Sequence, residues 1–257
     1  MAVVSAQPLI QDNLTPESQW QLYLAGLQSD ALPWHDWLPA QARLVVLAPH
    51  PDDEILASGV LMCMHAERGG ELLLIAVTDG EASHAQSLSW DKTALAAVRR
   101  NESARGMLQL GLQATPVVRL GLPDGAVNRH VQPLSTALKA LLEPTDVLLS
   151  PWQQDGHPDH EACGQAAALA CAATACRQVQ VPIWMWHWAT PGDDRVPWQQ
   201  LCAVSTPLPA WRRKQAALAA HVSQLEPRCN AQGQAQEPVL DAAIVARAAR
   251  KAEYFFV

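Results

Sequence analysis

Residues 44–54 read LVVLAPHPDDE, and this stretch decides how the rest of the chain can fold. Its apolar start, Leu44–Leu47, predicts a short strand that is buried on both faces. Its polar end, His50–Glu54, falls in a tight turn, and Ile55–Arg68 then has the pattern of a helix ended by Gly69-Gly70. The stretch is therefore a strand–turn–helix unit with an imidazole and three carboxylates at its turn.

The same alternation of apolar strands and helices continues downstream. Further strands are predicted at Leu72–Val77, Val117–Leu120, Asp146–Leu149 and Pro182–Trp188, and further helices at Lys92–Leu110, Pro133–Leu142 and Glu161–Cys176. Alternation of this kind is typical of the α/β class, here a Rossmann-like three-layer sandwich with a mostly parallel sheet. We predict a single domain over residues 1–257, with residues 1–40 as an N-terminal extension packed on it.

Composition limits the functional classes. Of the 257 residues, 49% are hydrophobic and 17% are charged, which indicates a globular protein and argues against disorder. The net charge of −7 argues against nucleic acid as a partner, and no basic cluster suits a membrane surface. Met1–Ile10 lacks a basic start and an apolar run, so we expect no secretory signal, and no segment has the ~18 consecutive apolar residues of a membrane-spanning helix. Six cysteines without a C-x-x-C pair suggest reduced thiols and a cytoplasmic location. The sequence leaves the oligomeric state open, and a homo-oligomer is one of the alternatives.

The first polar motif carries groups suited to a metal ion. His50 and Asp53 are three residues apart, so one turn can aim both side chains at one point, and an imidazole with a carboxylate suits Zn²⁺. Asp52 points elsewhere and is free to act as a base. The alternative is that Asp52 or Asp53 only caps the following helix. Glu54 suits a structural role, because an acid in a first turn matches the helix dipole.

A second motif follows the strand at Asp146–Leu149. Residues 155–160 read DGHPDH, which again places two histidines, His157 and His160, three apart. One could bind the metal while the other faces the substrate, and Asp159 could orient an imidazole. The alternative is a pair of solvent-facing histidines in a loop. Both motifs follow strands of one parallel sheet, whose carboxyl ends form the usual ligand site. Together they indicate metal-assisted hydrolysis.

These motifs resemble those of the LmbE-like, or PIG-L, family of zinc-dependent N-acetylglucosaminyl deacetylases. Members include the de-N-acetylases of glycosylphosphatidylinositol, mycothiol and bacillithiol synthesis. The resemblance runs from about Leu44 to the end of the chain and includes several further matches in order. These are Thr78-Asp79-Gly80-Glu81, then Arg99, Glu102, Ala104 and Leu110-Gly111, then Leu122-Pro123-Asp124-Gly125, and finally Lys214, His221, Ser223 and Gln224.

The resemblance implies a role for each matching residue. His50, Asp53 and His160 match the three metal ligands, with Zn²⁺ as the expected cofactor and Fe²⁺ or another divalent transition metal as alternatives. Asp52 matches the general base. His157 matches the histidine that stabilises the oxyanion, as imidazolium, and assists leaving-group protonation. Asp159 matches the carboxylate that tunes this histidine. Arg99 and Asp124 match residues that contact the substrate. From the residues alone, Arg99 could also be a solvated helix charge and Asp124 a turn residue.

The chain departs from some relatives in its aromatic residues. Some family members carry a tyrosine at the position of Asp155, so a mechanism that uses a mobile tyrosine does not carry over. Trp184, Trp186 and Trp188 alternate along the predicted last strand and would share one face, suited to stacking on sugar rings or, alternatively, to a buried face or a subunit contact. Residues 189–198 are the segment that we expect to shape the substrate site.

The resemblance implies hydrolysis of an N-acyl group, in the first place N-acetyl, from an amino sugar or its conjugate. A small N-acylated substrate is thus the expected partner. Two alternatives stay open: an amidase for a longer acyl chain or a non-sugar amide, and an inactive binding protein with the same fold.

Overall fold

A seven-stranded sheet forms the centre of the protein. The computed structural model describes residues 15–27, 33–84, 90–230 and 232–257. Within them, the strands are β1 (Leu44–Ala48), β2 (Leu72–Ala76), β3 (Val117–Arg119), β4 (Val147–Pro151), β5 (Arg177–Val181), β6 (Leu201–Ser205) and β9 (Ala252–Phe256), with a separate hairpin of β7 (Arg228–Cys229) and β8 (Ala235–Gln236). The sheet has the strand order β3-β2-β1-β4-β5-β9-β6. The first five strands in this order are parallel, while β9 runs antiparallel to both β5 and β6. The predicted α/β class with a mostly parallel sheet is confirmed.

Helices cover both faces of the sheet, which is why β1 is apolar at every position. In the described residues the helices are α1 (Glu17–Gly26), α2 (Trp34–Trp37), α3 (Asp53–Glu67), α4 (Lys92–Leu110), α5 (Val131–Leu141), α6 (Pro158–Thr174), α7 (Met185–Trp188), α8 (Leu208–Leu218), α9 (Val222–Leu225) and α10 (Ala242–Ala248). Val46 of β1 lies in one core with side chains from α3, α4, α8 and α10, whereas Val45 lies in a second core with α5 and α6. None of these helices is both long and apolar enough to cross a bilayer.

Local capping fixes the ends of α4, which begins and ends at the predicted residues. The Asp91 carboxylate accepts a hydrogen bond from the Ala94 amide at the start of the helix. At its end, Gly111 adopts a left-handed conformation with φ 78°, which costs a glycine little. Both signals lie within or beside the helix in the sequence, so they can be recognised without the fold.

The prediction of a strand at Pro182–Trp188 is wrong, since β5 ends at Val181 and α7 begins at Met185. The cause is a distant carboxylate. Asp155 accepts hydrogen bonds from the backbone amides of Ile183, Trp184 and Met185, at 2.8–3.0 Å, and so supplies the cap that starts a helical turn. A contact across 28 to 30 residues leaves no trace in the local pattern.

The three tryptophans consequently do not share one face. Residues two apart on a helix point about 200° away from each other. Trp184 faces the cavity described below, and Trp186 packs edge-on against Trp20 of α1. Trp188 stacks on Trp152, and its indole N–H donates to the Asp155 carbonyl. Through Trp20, the described part of the N-terminal segment packs on the rest of the chain.

Candidate active site

The two polar motifs meet at the carboxyl edge of the sheet. β1 and β4 are neighbours, with Val46 opposite Leu149, so the turns that follow them emerge side by side. The first turn leads into α3 and carries His50, while the second leads into α6 and carries His157. The imidazole rings of these two residues lie 5.0 Å apart, centre to centre.

His50, Asp53 and His160 converge on one point. Their potential ligand atoms lie within 4.8 Å of one another. The Asp53 carboxylate oxygen Oδ2 is 3.1 Å from His50 Nδ1 and 3.2 Å from His160 Nε2. His160 is fully buried, yet its Nε2 has no hydrogen-bond partner of suitable geometry in the described residues. Since buried polar atoms are normally paired, this nitrogen has the environment of a ligand atom.

This donor set fits a divalent transition metal. Two imidazoles and one carboxylate are three protein ligands, which leaves a fourth position open, as in catalytic rather than structural zinc sites. His50, Asp124 and Asp159 form a second group of similar spacing. Its two carboxylates accept hydrogen bonds from the backbone amides of Ala82, Gly125 and Val127, and Asp53 of the first group likewise accepts the His50 amide. Only the first group has a second imidazole, His160, whose buried Nε2 lacks a hydrogen-bond partner of suitable geometry in the described residues, and it therefore fits the ion better.

Negative charge surrounds the two imidazoles of the first group. Burial lowers the pKa of His160, but Asp53 and Asp155 outweigh it and raise the pKa to about 9. Burial likewise opposes protonation of His50, whereas Asp124, Asp159 and Asp53 raise its pKa well above the usual range. The site thus favours a cation, and a metal ion would replace these protons.

Asp155 holds His160 from behind. Its Oδ2 lies 2.9 Å from His160 Nδ1, while its Oδ1 accepts the amides of Ile183 and Met185 at the start of α7. This contact directs Nε2 toward Asp53, as carboxylates commonly do for metal-binding histidines. Sequence reasoning missed this function and noted Asp155 only as the replacement of a tyrosine. An acid five residues before a candidate ligand was the available signal.

Asp52 lies beside the metal-binding group in a strained backbone conformation. Its φ is 128°, a region that non-glycine residues rarely adopt. The Glu54 carboxylate accepts the Asp52 amide hydrogen, and the Arg99 guanidinium donates to Asp52 Oδ2 at 3.0 Å. Burial raises the pKa of Asp52 to about 7 against the opposing charge of Arg99. Glu54 has contacts of a structural kind. They are hydrogen bonds that its carboxylate accepts from the Asp52 amide and from the Ser103 hydroxyl, in addition to the helix dipole considered above.

Arg99 is buried, which excludes the alternative of a solvated helix charge. Besides Asp52, its guanidinium donates to the carbonyls of Gly80 and Pro51 at 2.9 and 2.7 Å. These contacts engage both terminal nitrogens, whereas the buried Nε has no hydrogen-bond partner among the described residues, and the residue still lines the cavity. Its described contacts are those of a residue that positions Asp52.

Asp124 also lies at the site rather than only in a turn. Its Oδ2 accepts the Ala82 amide, and its Oδ1 lies 3.2 Å from His50 Nε2. Burial raises and the His50 contact lowers the pKa of Asp124, with a net value of about 2.

The surroundings of His157 disfavour the imidazolium that the resemblance implies. Burial, together with the positive charges of His160 and His50, lowers its pKa to about 3. A metal ion beside it would act with the same sign. Its Nδ1 accepts the backbone N–H of Asp159, so the neutral ring carries its proton on Nε2. The Asp159 carboxylate accepts from Gly125 and Val127 and approaches His50 rather than His157, which it influences through charge alone.

A cavity of about 300 Å³ opens over these groups. The polar part of its wall includes His50, Asp52, Asp53, Asp124 and His157. The apolar part of its wall includes Leu56, Ile183, Trp184, Val239, Leu240 and Ile244. Residues 189–198, which were expected to shape the site, do not line it. Ala189, Val196 and Trp198 pack instead in the cluster around Trp20, because the α7 turn directs the chain away.

Comparisons with known proteins agree with the motifs. The model of the PIG-L family, described as GlcNAc-PI de-N-acetylase, matches residues 45–172. A 1D-myo-inositol 2-acetamido-2-deoxy-alpha-D-glucopyranoside deacetylase of Mycolicibacterium gilvum is 27% identical over 168 residues, or 56% of this chain and 58% of the relative. The chain thus spans little over half the length of that curated relative.

Two solved structures share the fold. The zinc-inhibited form of teicoplanin deacetylase Orf2 superposes with a TM-score of 0.57 at 18% identity, covering 72% of this chain and 85% of that one. The conserved protein TT1542 from Thermus thermophilus also gives a TM-score of 0.57, at 24% identity over 82% of this chain and 92% of its own.

Proposed function

This chain belongs to the PIG-L family through residues 45–172, and from that premise we propose that it is a metal-dependent N-deacetylase. The proposed reaction is hydrolysis of an N-acyl group, in the first place acetyl, from a small amino sugar or its conjugate. One observation carries the proposal: a three-ligand group, in which the buried Nε2 of His160 has no hydrogen-bond partner of suitable geometry among the described residues, lies next to the buried carboxylate of Asp52 in a cavity. The cytoplasmic location is kept as a prediction from cysteine usage.

His50, Asp53 and His160 would hold the ion. Zn²⁺ is the default, and Fe²⁺ or another divalent transition metal suits the same ligands. When bound there, the ion would supply Lewis acidity to the water and to the amide carbonyl. Asp155 keeps the His160 ring in the required orientation.

Asp52 would take the proton of the attacking water. Arg99 and Glu54 fix the carboxylate and the backbone of this residue, so it need not reorganise during the reaction. Positioned bases of this kind contribute roughly 10²- to 10⁴-fold to rates. The same carboxyl group could then deliver the proton to the departing nitrogen.

His157 would stabilise the oxyanion as a neutral donor. Its Nδ1 is occupied by the Asp159 amide, which leaves an N–H on Nε2 for the developing negative charge. Removal of one such donor typically costs about 3 kcal/mol of transition-state stabilisation. Asp124, beside His50 in the cavity wall, is the proposed substrate contact, and Arg99 reaches the substrate only through Asp52.

A second candidate function is hydrolysis of a longer acyl chain or a non-sugar amide. The apolar wall of Leu56, Val239, Leu240 and Ile244 favours it, because an acetyl group alone would leave most of this surface without an apolar partner. Comparing kcat/KM for acetyl, butanoyl and hexanoyl glucosamine distinguishes the two. A rise with chain length supports the longer acyl group, and a fall supports acetyl.

The experiment that tests hydrolysis compares the wild type with Asp52→Asn, both loaded with Zn²⁺. We expect the wild type to release acetate from N-acetylglucosamine derivatives and the variant to be slower by about 10²-fold or more. Metal content, measured by elemental analysis, should be equal in the two. A wild type that binds stoichiometric metal but hydrolyses no N-acyl compound would instead support an inactive binding protein.

A further inference from the structure

Arg247 is a buried cation without an acidic partner in the described part of the chain. It lies near the end of α10 and is 8% exposed. Its guanidinium donates to the Thr15 carbonyl and approaches the His187 ring, while its Nε has no hydrogen-bond partner among the described residues. Burial and the charge of Arg250 lower its pKa to about 10 against the charges of Glu17 and Asp241, so the group still carries its charge at neutral pH. Neither of these two described acids forms an ion pair with it. A buried charge of this kind is costly unless an opposite charge compensates it.

The neighbouring cations have such compensation. Arg250 forms two hydrogen bonds of 2.8 Å with the Glu17 carboxylate, and Lys214 lies 2.7 Å from Glu253. Both line the same small cavity as Arg247. The ring of His187 gives no compensation either, because burial and the charges of Arg247 and Arg250 lower its pKa to about 3 and keep it neutral.

This small cavity adjoins the proposed catalytic cavity. It measures about 50 Å³, and four residues line both spaces: Leu56, Ile183, His187 and Ile244. A line of ring contacts runs from the metal-binding group to His187, which contacts Arg247. His157 lies 5.0 Å from His50, Trp184 lies 5.8 Å from His157, and His187 lies 5.1 Å from Trp184, each measured between ring centres.

We propose that Arg247 and His187 form a subsite for an anionic group, a carboxylate or a phosphate, that the substrate carries away from its scissile amide. The inference rests on the proposed deacetylase function and adds the charge of the substrate to it. The metal-binding group would hold the amide, and Leu56, Ile183 and Ile244, which line both cavities, would lie beside the path from the amide to the subsite.

The size and the donors of the subsite suit a compact oxyanion. A volume of about 50 Å³ has room for a carboxylate or phosphate in place of a few waters, but not for a sugar ring. The planar guanidinium offers paired N–H donors that match two oxygens of such a group. A neutral His187 accepts a hydrogen bond from the Arg247 guanidinium without adding charge, and this contact orients the guanidinium.

Calorimetric titration tests the subsite. The Asp52→Asn protein is used, so that ligands are not consumed. The probes are N-acetylglucosamine, its 6-phosphate, and N-acetylmuramic acid, which share the acetamido sugar and differ in their anionic group. We expect at least one anionic probe to bind about tenfold more tightly than the neutral one, with a preference that weakens as salt is added. The better of the two identifies phosphate or carboxylate.

Further variants in the same background assign the preference to a residue. Arg247→Gln should remove it and Arg247→Lys should retain part of it. Arg100→Gln, which removes an arginine that pairs with Asp79 and lines neither cavity, should leave it unchanged. Equal binding of all three probes by the parent protein overturns the proposal, and so does a preference that survives Arg247→Gln. The wild-type assay separates the two proposals. Anion preference without hydrolysis refutes only the deacetylase function, and hydrolysis without anion preference refutes only the subsite.

Discussion

Asp155 is the residue on which the geometry of His160 depends most. One of its oxygens contacts His160 Nδ1, and the other holds the amides that begin α7. In Asp155→Asn, the asparagine side chain cannot make both contacts. Its NH₂ group is a donor and would face either the His160 ring N–H or the backbone N–H groups, which are donors as well. We expect Zn²⁺ affinity to fall about 10- to 100-fold, measured by competition with a chromogenic chelator. Asp79→Asn, which alters a carboxylate paired with Arg100 outside the cavity, is the control. An unchanged affinity for Asp155→Asn would contradict the assigned contact.

Two roles are open to Arg99: to position the Asp52 carboxylate, or to bind the substrate directly. Its three described contacts go to Asp52, Pro51 and Gly80, so we expect Arg99→Gln to lower kcat by about 10²-fold while KM changes little. Steady-state kinetics on an N-acetylglucosamine derivative measure both constants. Arg100→Gln, the adjacent residue paired with Asp79, should behave like the wild type. A raised KM with an unchanged kcat would restore the substrate contact that the family resemblance implies.

The sequence could predict the site residues whose position follows from their spacing and from the order of the strands. His50 and Asp53 share one turn, and His160 follows the neighbouring strand, so topology alone brings them together. The lowered pKa of His157 could not be predicted from the sequence, because it depends on burial and on positive charges from two other residues of the folded site. Arg247 was missed for a similar reason, since its lack of an acidic partner among the described residues becomes visible only in the folded chain.

At the scale of elements, α3 is kinked at Ser58, where φ is −147°, and a distant carboxylate compensates for the break. Glu253 of β9 accepts the amides of Val60 and Leu61 at 2.9 and 2.8 Å, as a capping residue would, and pairs with Lys214. Without this carboxylate, a buried ammonium and two amides lose their partner. The kink and its cap come from segments far apart in the chain, so the helix pattern predicted only an unbroken α3.

Glu253→Ala should therefore be severely destabilising. Removing one member of a buried ion pair typically costs about 3–5 kcal/mol of unfolding free energy, measured here by urea denaturation. Glu67→Ala provides the matched control, because Glu67 pairs with Arg213 at the surface and exposed pairs contribute about 1 kcal/mol or less. Equal losses in the two variants would mean that Glu253 contributes no more than a surface acid.

At the scale of the whole molecule, the metal would join segments that the sheet already brings together. His50 and Asp53 follow β1 and His160 follows β4, while the two hydrophobic cores lie on either side of the sheet and need no ion. Chelation should therefore leave a folded protein, unlike a zinc finger.

Zn²⁺ at about 100 times its Kd should stabilise the wild type by about 2.7 kcal/mol, which corresponds to a Tm rise of roughly 5–10 °C for a domain of this size. His160→Ala should lose this response, and His65→Ala, whose ring contacts the Ala42 carbonyl in the core, should keep it from a lower starting Tm. Thermal unfolding followed by circular dichroism, with and without chelator, measures each case. A wild type that unfolds on chelation at 25 °C, or whose Tm ignores Zn²⁺, would show that His50, Asp53 and His160 do not bind the ion in this manner.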